Sequence, residues 1–151
     1  MNEVVLLMAT ILMWIAAIFG TWQRIFQMPG WFANPPASFE LMRRQSRQAK
    51  RSWVPLSVLL TATICASLLV NWEFEEVRNH ILTALACYIT TGLLSGIYFA
   101  REILAFSAMP VTDPQTPQLM KRTRKWLRWT TVRDILQWLA AISLTMAYNN
   151  L

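Results

Sequence analysis

The stretch Val4–Gln23 reads VVLLMATILMWIAAIFGTWQ and holds twenty consecutive residues without a charged side chain. The hydrocarbon core of a bilayer is about 30 Å thick, and a helix needs about 20 mostly apolar residues to cross it. The stretch therefore predicts a transmembrane helix near the N-terminus. A cleavable signal peptide is disfavoured, because Glu3 is the only charged residue ahead of the stretch and no basic residue precedes it.

Three further apolar stretches follow along the chain. Trp53–Asn71 and Ile81–Ala100 contain no charged residue, and Ile135–Tyr148 reaches spanning length when it is extended back to about Trp129. In lipid, backbone groups must be satisfied within one segment or within a closed barrel. Because these stretches lack the alternating pattern of barrel strands, they are predicted to be helices.

The sequence thus predicts an all-α fold, an integral membrane four-helix bundle that forms a single domain over residues 1–151. The charge content supports this class, since 15% of the residues are charged, whereas soluble domains average about 25%. The predicted helices cover about residues 4–25, 53–71, 80–104 and 127–149. The predicted basic loops cover about residues 26–52 and 105–126.

Basic residues are unevenly distributed between the loops. The two long loops are rich in Lys and Arg, whereas the short second loop carries Glu73, Glu75 and Glu76 against Arg78. An excess of Lys and Arg marks the cytoplasmic side of a membrane protein. The long loops are therefore predicted inside and both termini outside, which describes a multi-pass protein of a bacterial inner membrane, N-out and C-out.

The basic runs adjoin tryptophan residues. Arg43–Arg51 precedes Trp53, and Lys121–Arg128 contains Trp126 and is followed by Trp129. Tryptophan beside Lys and Arg is typical of anchoring at the inner membrane surface. The lipid bilayer is therefore the predicted partner, and nucleic acid is not predicted to be one.

Charged residues at the inner ends of the predicted helices are the candidates for chemistry, because ionisable groups are costly in a membrane. Arg101 and Glu102 end helix three, and Arg133 and Asp134 begin helix four. Since these helices are antiparallel, we expect Glu102 to pair with Arg133 and Arg101 to pair with Asp134, with Arg24 within reach. Two interpretations stay open: ion pairs that hold the bundle together, or a polar pocket at the cytoplasmic end.

Polar residues at helical spacing favour the pocket. They form stripes on three helices, namely Thr10, Trp14, Ala17, Thr21 and Arg24 on helix one, Thr91, Ser95, Tyr98 and Glu102 on helix three, and Thr130, Arg133 and Gln137 on helix four. Aromatic side chains near the pocket mouth are suited to stacking on an aromatic substrate. The candidate substrate-binding residues are Trp22, Arg24, Trp31, Tyr98, Trp126, Thr130 and Gln137.

No cofactor or metal is predicted. His80 is the only histidine, so bis-histidine haem and a histidine-cluster metal site within one chain are disfavoured. Cys65 and Cys87 do not form a C-x-x-C motif, which disfavours a disulfide-exchange enzyme. A disulfide between these two cysteines stays open.

Segments of this chain resemble small four-helix bacterial membrane proteins of a domain-of-unknown-function family that includes the fungal anthrone oxygenase-like proteins. The similar segments are Gly20-Thr-Trp22, Pro29-Gly-Trp31-Phe-Ala-Asn-Pro35-Pro36-Ala-Ser38, Trp53, Tyr98-Phe99-x-x-Glu102-Ile103, and Trp126 followed by Arg133. Two positions depart from the family's pattern. Thr130 stands where asparagine is usual, and Arg101 stands where a proline or small residue is expected before the acid.

The resemblance implies an activity for the charged residues, since members of the family are associated with oxidising anthrones to anthraquinones without a metal or flavin. Such an oxygenase needs a base that removes an acidic proton and a cation that holds the resulting enolate. Glu102 is the candidate base and Arg133 the candidate oxyanion partner, with Asp134 and Arg101 tuning them. These four are therefore the candidate catalytic residues.

Two other classes of function remain open. A non-catalytic membrane subunit, or an accessory protein that binds a quinone or lipid, would use the small-residue face of Gly92 and Gly96 for a partner. A component of a transporter would require a homo-oligomer or a larger membrane complex, because four helices are few for transport. The ligand predicted for the enzyme and for the non-catalytic protein is a lipophilic aromatic compound or a quinone.

Overall fold

The computed structural model describes residues 2–151, which form four long helices and no strand. Helix α1 spans Asn2–Trp31, α2 spans Phe39–Val70, α3 spans Glu75–Ser107 and α4 spans Pro117–Asn149. The predicted all-α class and the number of helices are confirmed.

Three of the helices, α1, α2 and α3, are long and apolar enough to cross a membrane. Within the described residues, only 39%, 22% and 17% of their most apolar stretches are buried, respectively. Soluble monomers rarely expose contiguous apolar surface on this scale. Composition therefore supports three spans instead of the predicted four, because the first half of α4 is strongly basic.

Two of the predicted loops are largely helical. Helix α2 begins at Phe39, so much of the predicted loop 26–52 belongs to one 32-residue helix that also contains Pro55. Helix α4 begins at Pro117 and not at about residue 127. At about 1.5 Å per residue, helices of this length reach about 50 Å and exceed the hydrocarbon thickness of a bilayer.

The start of α4 has a local cause. The Thr116 side chain accepts a hydrogen bond from the backbone N–H of Leu119 at 3.2 Å, and Pro117 occupies the first helical position. A threonine cap satisfies one free N–H group of a first turn, and proline at the first position has no N–H group to satisfy. The basic run after Pro117 is therefore helical, although its charges are typical of a loop.

The helices pack in the order α2, α1, α4, α3. Helix α1 contacts both α2 and α4, and α4 contacts the Glu75–Leu93 part of α3, whereas α2 and α3 make the fewest contacts of any neighbouring pair. The bundle is therefore open on the side between α2 and α3.

The core has two parts. The first, which we call the small-residue core, consists of Leu6, Ala9, Met13, Ala16, Ala17, Leu60, Ile64, Val77, Ile81, Ala84, Ala140, Ala141, Leu144 and Ala147. The second, which we call the aromatic cap, consists of Met28, Trp31, Phe32, Phe39, Met42, Phe99, Phe106, Leu119 and Trp126. Alanine at helix interfaces permits close approach of backbones, which suits packing in lipid.

Two helices widen between these two parts of the core. A π-helical turn occupies Gln23–Gln27 in α1, and another occupies Leu94–Phe99 in α3. In α1 the turn lies between the small-residue core and the aromatic cap. In α3 it follows the small-residue core, and its last residue, Phe99, belongs to the aromatic cap. Wide turns of this kind are frequent at functional sites.

Candidate functional site

A layer of polar side chains lies between the small-residue core and the aromatic cap along α1 and α4. We call it the polar layer, and it consists of Gln23, Arg24, Thr130, Arg133, Asp134 and Gln137. Thr130, Asp134 and Gln137 are buried, with 0%, 2% and 6% exposure. Residues three or four positions apart share a helix face, so the α4 members all point inward.

Asp134 pairs with Arg24. Its Oδ2 atom lies 2.6 Å from Arg24 Nε, and the carboxylate side chain is 3% exposed. The prediction that Asp134 pairs with Arg101 is wrong, because Arg101 is exposed and forms no ion pair within residues 2–151. The expectation that Arg24 reaches these charges is confirmed.

Glu102 pairs with Arg122 instead of the predicted Arg133. Both carboxylate oxygens of Glu102 accept hydrogen bonds from the Arg122 guanidinium at 3.1 to 3.2 Å. The same guanidinium lies 5.2 Å from the ring centroid of Phe106. Sequence patterns do not indicate this pair, because Arg122 belongs to a segment whose basic composition predicts a loop.

Arg133 is the least satisfied charge of the polar layer. Its side chain is 15% exposed, and its nearest carboxylate oxygen, Asp134 Oδ1, lies 3.8 Å from Nη2. Its Nε atom is buried and has no hydrogen-bond partner among residues 2–151. The guanidinium stacks over Phe99, 5.1 Å from the ring centroid. A buried cation with so little compensation is costly unless something else pairs with it.

Three more polar atoms on the same face of α4 are buried without a hydrogen-bond partner among the described residues. They are Trp126 Nε1, Asp134 Oδ1 and Gln137 Oε1. Buried polar groups in proteins are nearly always paired, so four such atoms on one helix face are unusual. Trp126 Nε1 and Arg133 Nε are hydrogen-bond donors, and Asp134 Oδ1 and Gln137 Oε1 are acceptors.

Gln137 packs directly against α1 at Gly20. A Cβ atom placed on Gly20 would lie 2.7 Å from Gln137 Oε1, closer than side chains normally approach. A larger residue at this position would therefore have to displace the side-chain amide of Gln137. One turn further along α1, Gln23 Oε1 accepts a hydrogen bond from Trp53 Nε1 at 2.9 Å, which connects α2 to the layer.

A cavity of about 760 Å³ lies between α2 and α3, and we call it the α2–α3 groove. Its walls include Lys50, Trp53, Cys65, Tyr88 and Phe99, and Arg133 and Gln137 line it from α4. A second cavity of about 360 Å³ shares Lys50, Trp53, Phe99 and Arg133 and extends to Trp31 and Trp126. Arg133 therefore lies where the two cavities meet.

Other candidate residues lie away from the groove. Trp22 is 44% exposed and stacks on Phe19 with a centroid distance of 6.0 Å. Tyr98 is half-buried and packs against Trp129 at 6.3 Å. Neither Trp22 nor Tyr98 lines the groove, whereas Trp31 and Trp126 pack together in the aromatic cap with centroids 6.1 Å apart.

The polar stripe of α1 faces α4 and not the groove. Trp14 Nε1 donates to Thr145 Oγ1 at 3.0 Å, and Thr21 Oγ1 accepts from Trp138 Nε1 at 2.9 Å. Thr91 and Ser95 on α3 donate to backbone carbonyls one turn earlier. These hydroxyls are therefore satisfied within the bundle.

Sequence reasoning misses three residues that shape this region: Gln23, Lys50 and Arg122. Gln23 ends an otherwise apolar stretch, and Lys50 and Arg122 belong to basic runs that are typical of solvated loops. Among residues 2–151, no group of three or more His, Cys, Asp or Glu side chains is arranged to hold a metal. Cys65 and Cys87 are free thiols.

Comparison with known protein families, curated proteins and solved structures finds no match to this chain. The resemblance to the anthrone oxygenase-like family therefore stays a prediction.

Proposed function

We propose that this chain is an integral membrane protein that binds a lipophilic ligand with an oxygen-bearing head group in the α2–α3 groove. In this proposal all four helices lie in a bacterial inner membrane. Both termini lie outside, and the basic starts of α2 and α4 lie in the cytoplasm. The exposed apolar faces of α1, α2 and α3 support the membrane setting.

Arg133 carries the binding proposal. Its guanidinium is largely buried, lines both cavities, and has an unpaired Nε atom. A ligand oxygen that accepts a hydrogen bond from Arg133 would compensate a charge that the protein leaves under-paired. Trp126, whose Nε1 atom is buried without a hydrogen-bond partner among the described residues, also lines the smaller cavity.

The groove walls favour a flat ring or an acyl chain on the rest of the ligand. Trp53 and Phe99 present aromatic surface beside Arg133, and aromatic rings favour stacked or edge contacts with other rings. The groove opens on the side where α2 and α3 contact each other least. A ligand dissolved in the bilayer would therefore reach Arg133 without crossing water.

The geometry favours binding over catalysis. Both carboxylate oxygens of the candidate base Glu102 accept hydrogen bonds from Arg122, and Glu102 does not line either cavity. Asp134 is held by Arg24. Oxidation of an anthrone-like ring would first require one of these carboxylates to leave its arginine, so the enzymatic activity rests on the family resemblance.

A role in a larger complex stays a second proposal. A methyl group added at Gly92 or Gly96 would meet no atom of the described residues within 4 Å. Gly92 lines the α2–α3 groove, so a partner helix on this face of α3 would compete with a ligand in the groove. A homo-oligomer and a larger membrane complex would both cover this face. Participation in transport also remains a prediction.

The binding proposal is tested in nanodiscs with decylubiquinone as a neutral probe and palmitate as an anionic probe, read by quenching of tryptophan fluorescence. Arg133→Gln should weaken binding by roughly tenfold or more, because a hydrogen bond to a charged group contributes about 1.5 to 3 kcal/mol. Arg101→Gln removes the same charge from an exposed site and should leave affinity unchanged. Equal affinities in both variants, or no binding of either probe by the wild type, would contradict the proposal.

A further inference from the structure

Helix α4 carries a second cationic region, outside the groove. We call it the cationic face, and it consists of Lys121, Arg124, Lys125 and Arg128, all exposed. None of the four forms an ion pair within residues 2–151, and no acidic residue occurs between Pro117 and Arg133. These charges are therefore not used to hold the bundle together.

The same face of α4 continues as an apolar surface. Its next members, spaced by three or four residues, are Trp129, Val132, Ile135, Leu139, Ile142 and Met146, and each is between 39% and 53% exposed. Such spacing keeps the residues on one side of a helix. Trp129 and Met146 are separated by a rise of about 26 Å, close to the hydrocarbon thickness of a bilayer.

The four cations lie directly N-terminal to this apolar surface. With the apolar part of the face in hydrocarbon, Trp129 lies at the interface, where tryptophan is enriched, and Lys121–Arg128 lie at the level of the lipid head groups. A shallow depression of about 580 Å³ lies among the four cations, Trp129 and Val132. A phosphate group in that depression would be surrounded by positive charge.

We infer that the cationic face binds the head groups of anionic phospholipids in the cytoplasmic leaflet. Each Lys or Arg near an anionic membrane strengthens the association by about fivefold. Lipid is favoured over nucleic acid because the cations share one face with Trp129 and an apolar surface of membrane length. The inference depends on the proposed membrane setting but not on the α2–α3 groove.

Native mass spectrometry of the full chain, released from nanodiscs of phosphatidylcholine and phosphatidylglycerol, tests this inference. The wild type should retain phosphatidylglycerol in preference to phosphatidylcholine. The variant Lys121→Gln/Arg124→Gln/Lys125→Gln/Arg128→Gln should retain it more than tenfold less. A control that removes four exposed charges from α2 and α3, Arg44→Gln/Arg47→Gln/Arg51→Gln/Arg101→Gln, should lose clearly less of it than the α4 variant, although the basic start of α2 is also expected at the inner membrane surface.

Two further measurements keep the test decisive. The variant with all four substitutions would fail to insert into the membrane only if the four charges are needed for insertion. In that case Lys121→Gln/Lys125→Gln should still lose most of the bound phosphatidylglycerol, whereas Arg124→Lys/Arg128→Lys should keep it. Equal losses in the α4 variant and the control, no preference for phosphatidylglycerol, or tighter binding of an oligonucleotide than of lipid would overturn the inference. Decylubiquinone binding is measured on the same samples. Because it depends on the α2–α3 groove and not on the cationic face, it shows whether the groove proposal fails separately from the lipid inference.

Discussion

Arg24 Nε lies 2.6 Å from Asp134 Oδ2, and this ion pair joins the first helix to the last across 110 residues of sequence. Asp134 also lies 3.8 Å from the Arg133 guanidinium, so one buried carboxylate serves two cations. Every charge in the polar layer therefore depends on Asp134.

Asp134→Asn should lower the free energy of unfolding by about 3 kcal/mol, because removing one partner of a buried pair leaves uncompensated charge behind. The measurement is unfolding in mixed detergent micelles. Glu40→Gln is the matched control, since it breaks an Arg43 pair in which Glu40 is 55% exposed. The control should cost less than about 1 kcal/mol, and a similar cost for both variants would show that the Asp134 pair behaves like a surface pair.

Arg133→Met should leave the free energy of unfolding unchanged or raise it by about 1 kcal/mol, since replacing a poorly paired buried charge by an apolar side chain is often stabilising. The same variant should lose ligand binding. Arg122→Met is the control, because it leaves Glu102, at 17% exposure, without its cation and should be destabilising. A marked loss of stability in Arg133→Met would mean that Arg133 holds the fold together instead of binding a ligand.

Gly20→Ala should change the free energy of unfolding by less than about 1 kcal/mol, because the atom that its Cβ would meet is the end of the flexible Gln137 side chain and alanine is favoured over glycine inside a helix. The 2.7 Å distance between that Cβ and Gln137 Oε1 is relieved when the side-chain amide of Gln137 turns away. Gly92→Ala should be neutral or slightly stabilising, because no atom of residues 2–151 lies within 4 Å of the added methyl group. A loss of about 1 to 3 kcal/mol in Gly20→Ala, the usual cost of overpacking, that Gln137→Ala relieves would contradict this expectation and show that the Gln137 amide is fixed.

The proposed orientation predicts a labelling pattern in intact spheroplasts. In a background of Cys65→Ser/Cys87→Ser, a membrane-impermeant maleimide should label Asn149→Cys from outside. Gln118→Cys, which is exposed at the start of α4, should be labelled only after permeabilisation, because the basic start of α4 is expected in the cytoplasm. The reverse pattern would show that the termini face the cytoplasm.

Sequence patterns predict the helices better than the contacts between them. Uncharged stretches of spanning length locate α1, α2 and α3, since transfer to lipid dominates the composition of such segments. They miss the helical start of α4, because Lys121–Arg128 is as basic as a cytoplasmic loop. Its helical state depends on the Thr116 cap and on packing against the aromatic cap, which composition alone does not reveal.

The sequence predicts which charged residues lie at the same level of the bundle, but it does not predict which of them form ion pairs. Arg24, Arg133 and Asp134 come together as their positions along the helices suggest. Which arginine faces which carboxylate depends on the rotation of each helix about its axis, and the π-helical turn at Leu94–Phe99 changes that rotation just before Glu102. Sequence spacing that assumes regular α-helix therefore could not assign Glu102 to Arg122.

The opening between α2 and α3 gives the proposed site an unusual dependence on its surroundings. In the proposed membrane setting, lipid acyl chains would form the wall of the groove on that side, so the ligand and the solvent that it displaces would both be membrane components. Occupancy would then follow the mole fraction of ligand in the bilayer and not its aqueous concentration. Diluting a proteoliposome suspension with buffer should leave a strongly lipophilic ligand bound, whereas fusion with empty liposomes should release it.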